Sequence, residues 1–336
     1  MPLPQAVNRT LCVAPMMEWT DRHCRYLHRL FSPHALLYTE MLVSAALVRG
    51  DAARLLEHDA AEHPLALQLG GSDPKELAQA ARIGAAAGYV EINLNVGCPS
   101  DRVQKGAFGA CLMADADLVA SCVASMRDAV DVPVTVKCRI GIDKSEDYEF
   151  FAAFAGRMQD SGVAALIVHA RIAILGGLSP KQNREVPPLK YDYVHRLKAE
   201  RPGLFIVLNG GLSDCAQVLR HIGPDSSGAP LDGVMLGRAA YHRPGLLAEL
   251  EQALIDRHWQ IPDVEAIIEQ MVRHARREAA RGVRLHSITR HMHGLVAGCE
   301  GARAWRRFLS DVASRSDAVP EILFTALPML GRRAAA

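Results

Sequence analysis

The segment from residue 93 to residue 99, Asn-Leu-Asn-Val-Gly-Cys-Pro, places a thiol where a buried strand gives way to a loop. The apolar alternation of Tyr89–Leu94 predicts the strand, Gly97 allows a ligand to approach the backbone, and Pro99 prevents the strand from continuing. A cysteine thiol is mostly protonated at neutral pH, which suits a proton donor. Cys98 is therefore a candidate general acid, and the alternative is a buried structural cysteine.

Polar or glycine residues follow five other predicted strands as well. They are Gln68-Leu69-Gly70-Gly71, Lys137-Cys138-Arg139, His169-Ala170-Arg171, Asn209-Gly210-Gly211 and Gly237-Arg238. Each motif alone has a plain structural explanation: a turn, a core histidine or a solvated lysine. Glycine-rich turns after the last two strands, however, are typical of sites where backbone N–H groups bind a phosphate. Together the motifs favour a ligand that carries a phosphate.

Flavin mononucleotide (FMN) is a ligand whose parts match these motifs. Its phosphate would lie at Gly211 and at Gly237-Arg238. Gln68 would hydrogen-bond the pyrimidine edge of the flavin ring, and Lys137 would favour the anionic reduced ring by placing a cation beside it. These residue types therefore predict a flavin site.

A repeating βα pattern spaces the residues that would line this site. The strand-like runs are Leu11–Met16, Ala35–Thr39, Leu65–Leu69, Tyr89–Leu94, Val134–Arg139, Ala165–Ala170, Leu204–Asn209 and Gly233–Gly237. Eight βα units predict an α/β fold of the (β/α)8 TIM barrel type, with its active site at the carboxyl ends of the strands. The alternative is a doubly wound sheet, but the first strand is followed by Ala14-Pro15-Met16-Met17-Glu18 rather than by Gly-x-Gly-x-x-Gly.

Composition narrows the class of protein. The 336 residues are 49% hydrophobic, and 38 Lys plus Arg nearly balance 37 Asp plus Glu, so the chain as a whole has no polyanion-binding charge. The eight cysteines form no Cys-x-x-Cys pair, which is typical of reduced intracellular thiols. The start lacks the pattern of a signal peptide, and no apolar run reaches the ~18 residues that span a bilayer. We expect a cytoplasmic protein with no metal site and no membrane segment.

The region after Pro244 shows helical spacing and no further strand-like run. The sequence therefore predicts a barrel domain over residues 1–244 and an appended helical domain over 245–336. Between Met271 and Arg307 nine arginines stand against two glutamates, a local excess that the overall charge hides. A solvated helix face is one explanation, but the Arg303-Ala304-Trp305-Arg306-Arg307 cluster favours phosphate contacts, since guanidinium groups bind phosphate in a bidentate manner. Nucleic acid is the expected partner.

From about Leu11 to Ser310 the chain resembles the tRNA-dihydrouridine synthase family, and in detail its A-type subfamily. The motifs that carry the resemblance are Ala14-Pro15-Met16, Gln68-Leu69-Gly70-Gly71, Asn93 to Pro99, Val136 to Arg139, Val168 to Arg171, Asn209-Gly210-Gly211, Leu236-Gly237-Arg238, Leu178 to Arg184, Thr289 to Met292 and Gly301 to Arg307. One departure is Ile172-Ala173-Ile174, where many A-type members have Lys-Ala-Trp. A basic or stacking contact from these three positions is therefore not expected.

The resemblance implies an FMN enzyme that uses NADPH to reduce the C5–C6 double bond of uridines in the tRNA D-loop, at positions 20 and 20a. The flavin N5 would give hydride to C6, and Cys98 would protonate C5 from the other side. The residues that would cover or hold the flavin are Pro15, Met16, Met17, Gln68, Lys137, His169, Asn209, Gly210, Gly211, Gly237 and Arg238. Asn95 would orient the base or the thiol loop, and Lys181, Arg184, Arg303 and Arg306 would bind the tRNA, including its elbow region. No obligate protein partner is implied.

Two other functions stay open at this stage. An FMN barrel that acts on a small molecule, such as a dihydroorotate- or enone-type reductase, would share the flavin site but would have no use for the arginine-rich tail. A non-catalytic RNA-binding barrel would lack the yellow colour of a flavoprotein.

Overall fold

The parallel strands of the chain close into an eight-stranded barrel. The computed structural model describes residues 7–223, 228–315 and 317–329. Within them the strands are β1 (Leu11–Val13), β2 (Leu36–Tyr38), β3 (Leu42–Val43), β4 (Leu65–Gly70), β5 (Glu91–Val96), β6 (Val134–Arg139), β7 (Leu166–His169), β8 (Ile206–Asn209) and β9 (Gly233–Leu236). Their order is β2-β1-β9-β8-β7-β6-β5-β4, and the pairing of β2 with β4 closes the circle. The predicted TIM barrel is confirmed.

The strand positions agree with the sequence pattern, and the ends differ for physical reasons. Each of the eight predicted runs overlaps one barrel strand, and β4 and β5 continue past the predicted ends, to Gly70 and Val96. The first strand ends at Val13 rather than at Met16, since Pro15 has no N–H to donate to a ladder. The additional strand β3 pairs only with the end of β4, through Leu42 and Val43. Two residues are too few to produce a readable alternation in the sequence.

Helices surround the barrel, and several of them begin at an aspartate that caps the first turn. In the described part of the chain they are α1 (Arg22–Phe31), α2 (Ser44–Arg49), α3 (Ala52–Leu55), α4 (Pro74–Ala86), α5 (Asp101–Lys105), α6 (Ala116–Arg127), α7 (Tyr148–Asp160), α8 (Tyr191–Glu200), α9 (Cys215–Ile222), α10 (Arg238–His242), α11 (Gly245–Leu254), α12 (Val264–Ala279), α13 (Leu285–Thr289) and α14 (Ala302–Asp311). Short 3-10 segments lie at Ala60–Glu62, Gly109–Ala114, Gln182–Arg184, Met292–Gly294 and Pro320–Met329. Asp73 and Asp147 accept backbone N–H groups at the starts of α4 and α7, where the sequence predicts helix starts.

The barrel interior combines an apolar cluster with polar side chains. Alternate residues of a strand face inward, so the inner positions can be read from the register. The apolar inner residues that pack together are Cys12, Ala14, Leu36, Tyr38, Ala66, Ile167, Val207 and Met235. The inner residues nearer the carboxyl ends of the strands are Gln68, Asn95, Lys137, His169 and Asn209. The polar set therefore lies at the end where TIM barrels carry their active sites.

The helices after residue 244 pack on the barrel's outer layer. Helix α11 contacts α1, α9 and β1, which is the place of the eighth outer helix in such a barrel. Helix α12 contacts α1 and the 3-10 segment Pro320–Met329. The division into residues 1–244 and 245–336 stays a prediction, and by its contacts α11 lies with the barrel.

Two further points concern the chain outside the site. Among the described residues, no helix is both long enough and apolar enough to cross a membrane. The sequence Asp225-Ser226-Ser227-Gly228 before β9 predicts a surface loop. Its first three residues lie outside the described residues, as does the chain start at Met1-Pro2-Leu3-Pro4-Gln5.

Candidate active site at the barrel mouth

The loop that carries Cys98 is held from below by Asn95. The Asn95 Oδ1 atom accepts hydrogen bonds from the N–H groups of Gly97 and Cys98, each at 3.0 Å. On the other side Gly109, at φ +79°, lies so close that a Cβ there would be 2.6 Å from the Cys98 carbonyl oxygen. The thiol itself is partly exposed, with Sγ 3.5 Å from Oγ of Ser100. The loop therefore presents an accessible thiol on a fixed backbone.

A lysine and an asparagine from two strands meet beside this loop. Lys137 Nζ donates to Asn209 Oδ1 at 3.0 Å, and Asn209 Nδ2 donates to the Met235 carbonyl oxygen at 2.8 Å. Burial, together with the nearby charge of Arg139, lowers the pKa of Lys137 to about 8. An anionic ligand that enters the mouth would counteract both effects and favour the protonated lysine.

His169 lies against the glycine turn that follows β8. A Cβ on Gly210, whose φ is +109°, would be 2.4 Å from the His169 ring. A Cβ on Gly211, at φ +73°, would be 2.5 Å from Leu189. Burial, with the charges of Arg139 and other cations nearby, holds the pKa of His169 well below its ordinary value, so the ring is neutral at pH 7. Because Gly210 and Gly211 both have a positive φ and no room for a Cβ, the turn requires glycine at both positions.

The turn after β1 and the start of α10 complete the rim. Met16 is adjacent to Gly237, where an added Cβ would be 3.6 Å from its Sδ atom. Thr20 Oγ1 accepts the Met16 N–H at 2.9 Å and fixes this turn, while the Met17 side chain is 55% exposed. Pro15 is half-buried in the same turn. The three residues expected to cover a flavin thus lie together at the mouth.

Arg238 is engaged by the loop that follows β7. Its Nη1 atom donates to Glu185 Oε1 at 2.6 Å, and Nη2 donates to the Arg184 carbonyl oxygen at 3.4 Å. In this conformation the guanidinium of Arg238 is therefore shared with a carboxylate. A phosphate at Gly211 and Gly237 would compete with Glu185 for it.

The exposed loop after β7 carries Lys181 and Arg184 at the same mouth. Lys137 and Arg139 of β6 and Arg184 of this loop lie close enough to Cys98 that a negative charge on its sulfur would raise the pKa of each of them. The side chain of Lys181 makes no hydrogen bond or ion pair with the described residues.

Arg139 has a role that the sequence reasoning left out of the site. Its guanidinium is buried and donates to three carbonyl oxygens: Gly97 at 3.2 Å, Ile172 at 3.1 Å and Asn183 at 3.0 Å. It thereby ties the Cys98 loop to the loop after β7. The strand alternation offers a signal for it, because residue 139 must share the inner face with Lys137.

The arginines of α14 lie in a different place. Arg303 and Arg306 are exposed, and neither forms an ion pair or side-chain hydrogen bond with any described residue. Trp305 between them is buried, with Nε1 donating to the Met292 carbonyl oxygen at 2.8 Å, so this ring packs in the core and does not stack on a ligand. Helix α14 contacts the 3-10 segments Met292–Gly294 and Pro320–Met329.

The residues at the mouth fit an FMN. The N–H groups of Gly210 and Gly211 donate to no group in the described residues, and both glycines leave the backbone bare. These are the donors that a phosphate needs. Gln68, only 2% exposed, lies one strand from Asn95 and can present amide atoms to a ring edge. Lys137 supplies the cation that an anionic reduced flavin requires.

Comparisons with known proteins show the family of this chain. A sequence model described as "Dihydrouridine synthase (Dus)" matches residues 12–328. A protein of Pasteurella multocida named tRNA-dihydrouridine(20/20a) synthase is 50% identical over 324 residues, which cover 96% of this chain and 97% of that protein. Proteins of the same name from Xanthomonas axonopodis and Pseudomonas syringae are 52% and 53% identical, over 96% and 90% of this chain and 94% and 89% of their own.

Proposed function

Because this chain belongs to the dihydrouridine synthase family, we propose that it reduces uridines of the tRNA D-loop to dihydrouridine with FMN as cofactor and NADPH as reductant. Positions 20 and 20a are the proposed targets, since the named relatives carry them in their names. The observation that carries the proposal is that the Cys98 thiol, the Lys137–Asn209 pair and the bare glycine turn after β8 lie at one barrel mouth.

FMN, when bound, would supply the hydride to C6 of the uracil. Gly210 and Gly211 with the rim at Gly237 and Arg238 would bind its phosphate, and Pro15, Met16 and Met17 would cover the ring. Gln68, Lys137, His169 and Asn209 would line its other edges. The neutral His169 ring adds a hydrogen-bonding group without adding charge to the crowded cationic mouth.

Cys98 then donates its proton to C5 of the uracil. Lys137, Arg139 and Arg184 lie near this sulfur and would stabilise the thiolate that remains. Because the thiol is partly exposed, water can restore the proton after the product leaves. The Asn95 acceptor keeps the loop in place through this cycle, and it also lies near enough to the mouth to orient the base.

The exposed arginines and the loop lysine bind the tRNA in this proposal. A uridine must leave its stack to reach a barrel mouth, and a loop nucleotide does so at a cost of only about a few kcal/mol. Lys181 and Arg184 would contact the nucleotides near the site, and Arg303 and Arg306 would contact phosphates farther away. A cytoplasmic location is part of this proposal, since tRNA and NADPH would both be available there.

The direct test is genetic and chemical together. Dihydrouridine is mapped in total tRNA from cells that lack this protein, and the same cells are then given wild-type protein or Cys98→Ala. The proposal expects loss of dihydrouridine at 20 and 20a, recovery with wild type, and no recovery with the variant. It also expects the purified protein to be yellow. Unchanged dihydrouridine in the deletion strain would reject this substrate.

A further inference from the structure

A chain of buried side chains runs from the closed end of the barrel to the Cys98 loop, and it begins at Glu91. This carboxylate is fully buried and accepts three hydrogen bonds. Arg9 Nε donates to Oε2 at 2.6 Å, while Tyr38 OH and Thr135 Oγ1 donate to Oε1 at 2.5 and 2.6 Å. A carboxylate paired with an arginine can only accept, so the single hydroxyl hydrogen of Thr135 points toward it.

The chain continues upward through two amides. Thr135 has given its hydrogen to Glu91, so its oxygen can only accept from Asn93 Nδ2, 2.9 Å away. The Asn93 Oδ1 atom must then face the next strand, where it accepts from Gln68 Nε2 at 2.8 Å. These three residues lie side by side in register on β4, β5 and β6.

The end of the chain at the Cys98 loop requires the same orientation of the amides. The N–H groups of Gly97 and Cys98 can only donate, so Asn95 must offer them Oδ1. Asn95 Nδ2 therefore faces Gln68 and donates to its Oε1 atom at 3.1 Å. Two fixed ends, a carboxylate below and two backbone N–H groups above, thus impose one orientation on every amide between them.

The hydrogen bonds with Asn93 and Asn95 determine which amide atoms Gln68 can present to a ligand. One amide hydrogen goes to Asn93 and one carbonyl lone pair goes to Asn95, which leaves one hydrogen and one lone pair. A rotation of the Gln68 amide by half a turn would set donor against donor at Asn95 and acceptor against acceptor at Asn93. The side chain is therefore locked before any ligand arrives.

We propose that Glu91 and Thr135 are positioning residues for the active site. Acting through Asn93, they fix which end of the Gln68 amide faces the flavin, and this half of the inference rests on the proposed function. The same chain keeps the Asn95 acceptor under the Cys98 loop, and this half holds for the protein without any cofactor. Neither Glu91 nor Thr135 needs to touch substrate.

The test removes the central hydroxyl. Thr135→Val is nearly isosteric and leaves Asn93 Nδ2 with no acceptor, whereas Thr135→Ser keeps the hydroxyl and should restore the chain. Thr289→Val is the matched control, because Thr289 is buried and its hydroxyl has no partner among the described residues. Two quantities are measured: hydrogen exchange of the Gly97 and Cys98 amides without cofactor, and the dissociation constant of FMN by flavin fluorescence.

In Thr135→Val we expect these two amides to exchange roughly tenfold faster and FMN to bind roughly tenfold more weakly, with an altered visible flavin spectrum. Thr135→Ser and Thr289→Val should stay within about twofold of wild type. Wild-type exchange in Thr135→Val would overturn the role at the loop, and wild-type FMN affinity would overturn the role at Gln68. An equal effect in Thr135→Ser or Thr289→Val would show that packing, not the hydroxyl, matters.

The design distinguishes failure of the proposed function from failure of the positioning role. If wild-type protein binds no FMN, the proposed function fails, and the exchange of the two loop amides alone decides the positioning role. If Thr135→Val does not fold by circular dichroism, Thr135→Ala makes the same deletion with a small cavity in place of the added methyl, and the same readings apply.

Discussion

Nζ of Lys137 lies 3.0 Å from Oδ1 of Asn209, a hydrogen bond that joins β6 to β8 across the intervening β7. Both residues face inward at the mouth, and His169 of β7 faces inward between their strands. This bond holds the Lys137 ammonium at the barrel mouth. In the proposed function, its charge would lie beside the reduced flavin.

Replacing Lys137 by methionine should remove this charge with little change in volume. We expect the rate of flavin reduction by NADPH to fall by about a hundredfold, because one preorganised electrostatic contact is typically of this size. Binding of oxidised FMN should weaken much less. Stopped-flow absorbance measures the rate. Lys75→Met, an exposed position on α4, is the control, and equal rates in wild type and Lys137→Met would contradict the role.

The same residue makes stability depend on pH. The pKa of Lys137 is lowered to about 8 in the folded protein from 10.5, so between these values the unfolded chain binds more protons. The free energy of unfolding of the cofactor-free wild type should therefore rise with pH from about 8 to 10.5, relative to Lys137→Met. Urea unfolding at several pH values measures it. A constant difference between the two proteins across this range would refute the prediction.

Arg303 and Arg306 should contribute to tRNA affinity through phosphates. In the double alanine variant we expect weaker binding and a shallower dependence of log Kd on log salt, by roughly 0.7 to 0.9 for each lost contact. Filter binding at several salt concentrations measures this slope. Arg307→Ala on the same helix is the matched control, since its charge is already paired with Asp311 at 3.2 Å. Identical slopes in all three proteins would exclude α14 from the interface.

Asp21 links the turn after β1 to the helices that follow the barrel. Its Oδ2 atom accepts from Arg290 Nη2 at 2.7 Å and from His291 Nε2 at 3.0 Å. Burial alone would raise the pKa of Asp21, but the bonds and charges of His291 and Arg290 outweigh it and hold the pKa below its ordinary value. This linkage therefore adds stability that is fully present above about pH 4 and is lost as the pH falls further.

We expect Asp21→Asn to lower the free energy of unfolding by about 1–3 kcal/mol at neutral pH, because Arg290 loses its charge partner and His291 loses its carboxylate hydrogen-bond partner. The deficit relative to wild type should shrink below about pH 4. Asp131→Asn, at an exposed position, serves as the control. A deficit that does not change with pH would mean that the ion pairs are not its source.

Much of the fold follows from patterns that any observer of the sequence can read. Inward-facing residues alternate along each strand, and the breaks at Pro15 and Pro99 mark where strands end, so the barrel and the mouth could be predicted. The thiol loop could be predicted because Gly97 and Pro99 flank Cys98. The expected reaction came from the resemblance to the tRNA-dihydrouridine synthase family, and the comparisons confirm that family.

Other parts of the site depend on geometry that local pattern does not encode. Glu91 and Thr135 become partners only when neighbouring strands set their register. Arg238 pairs with Glu185 because the start of α10 meets the loop after β7, and loop paths have no periodic signal. Trp305 beside arginines is compatible with either stacking or packing, and the amphipathic spacing of α14 buries it.

The central claim is that a flavin and the Cys98 thiol act on one uridine. It is tested most directly by mixing anaerobically reduced, FMN-loaded protein with tRNA that lacks dihydrouridine, and following flavin reoxidation and dihydrouridine in a single turnover. For wild type we predict one dihydrouridine formed for each flavin reoxidised, and for Cys98→Ala a loss of product although the flavin is still reduced by NADPH. Equal product from Cys98→Ala, or reoxidation by tRNA without dihydrouridine, would contradict the account.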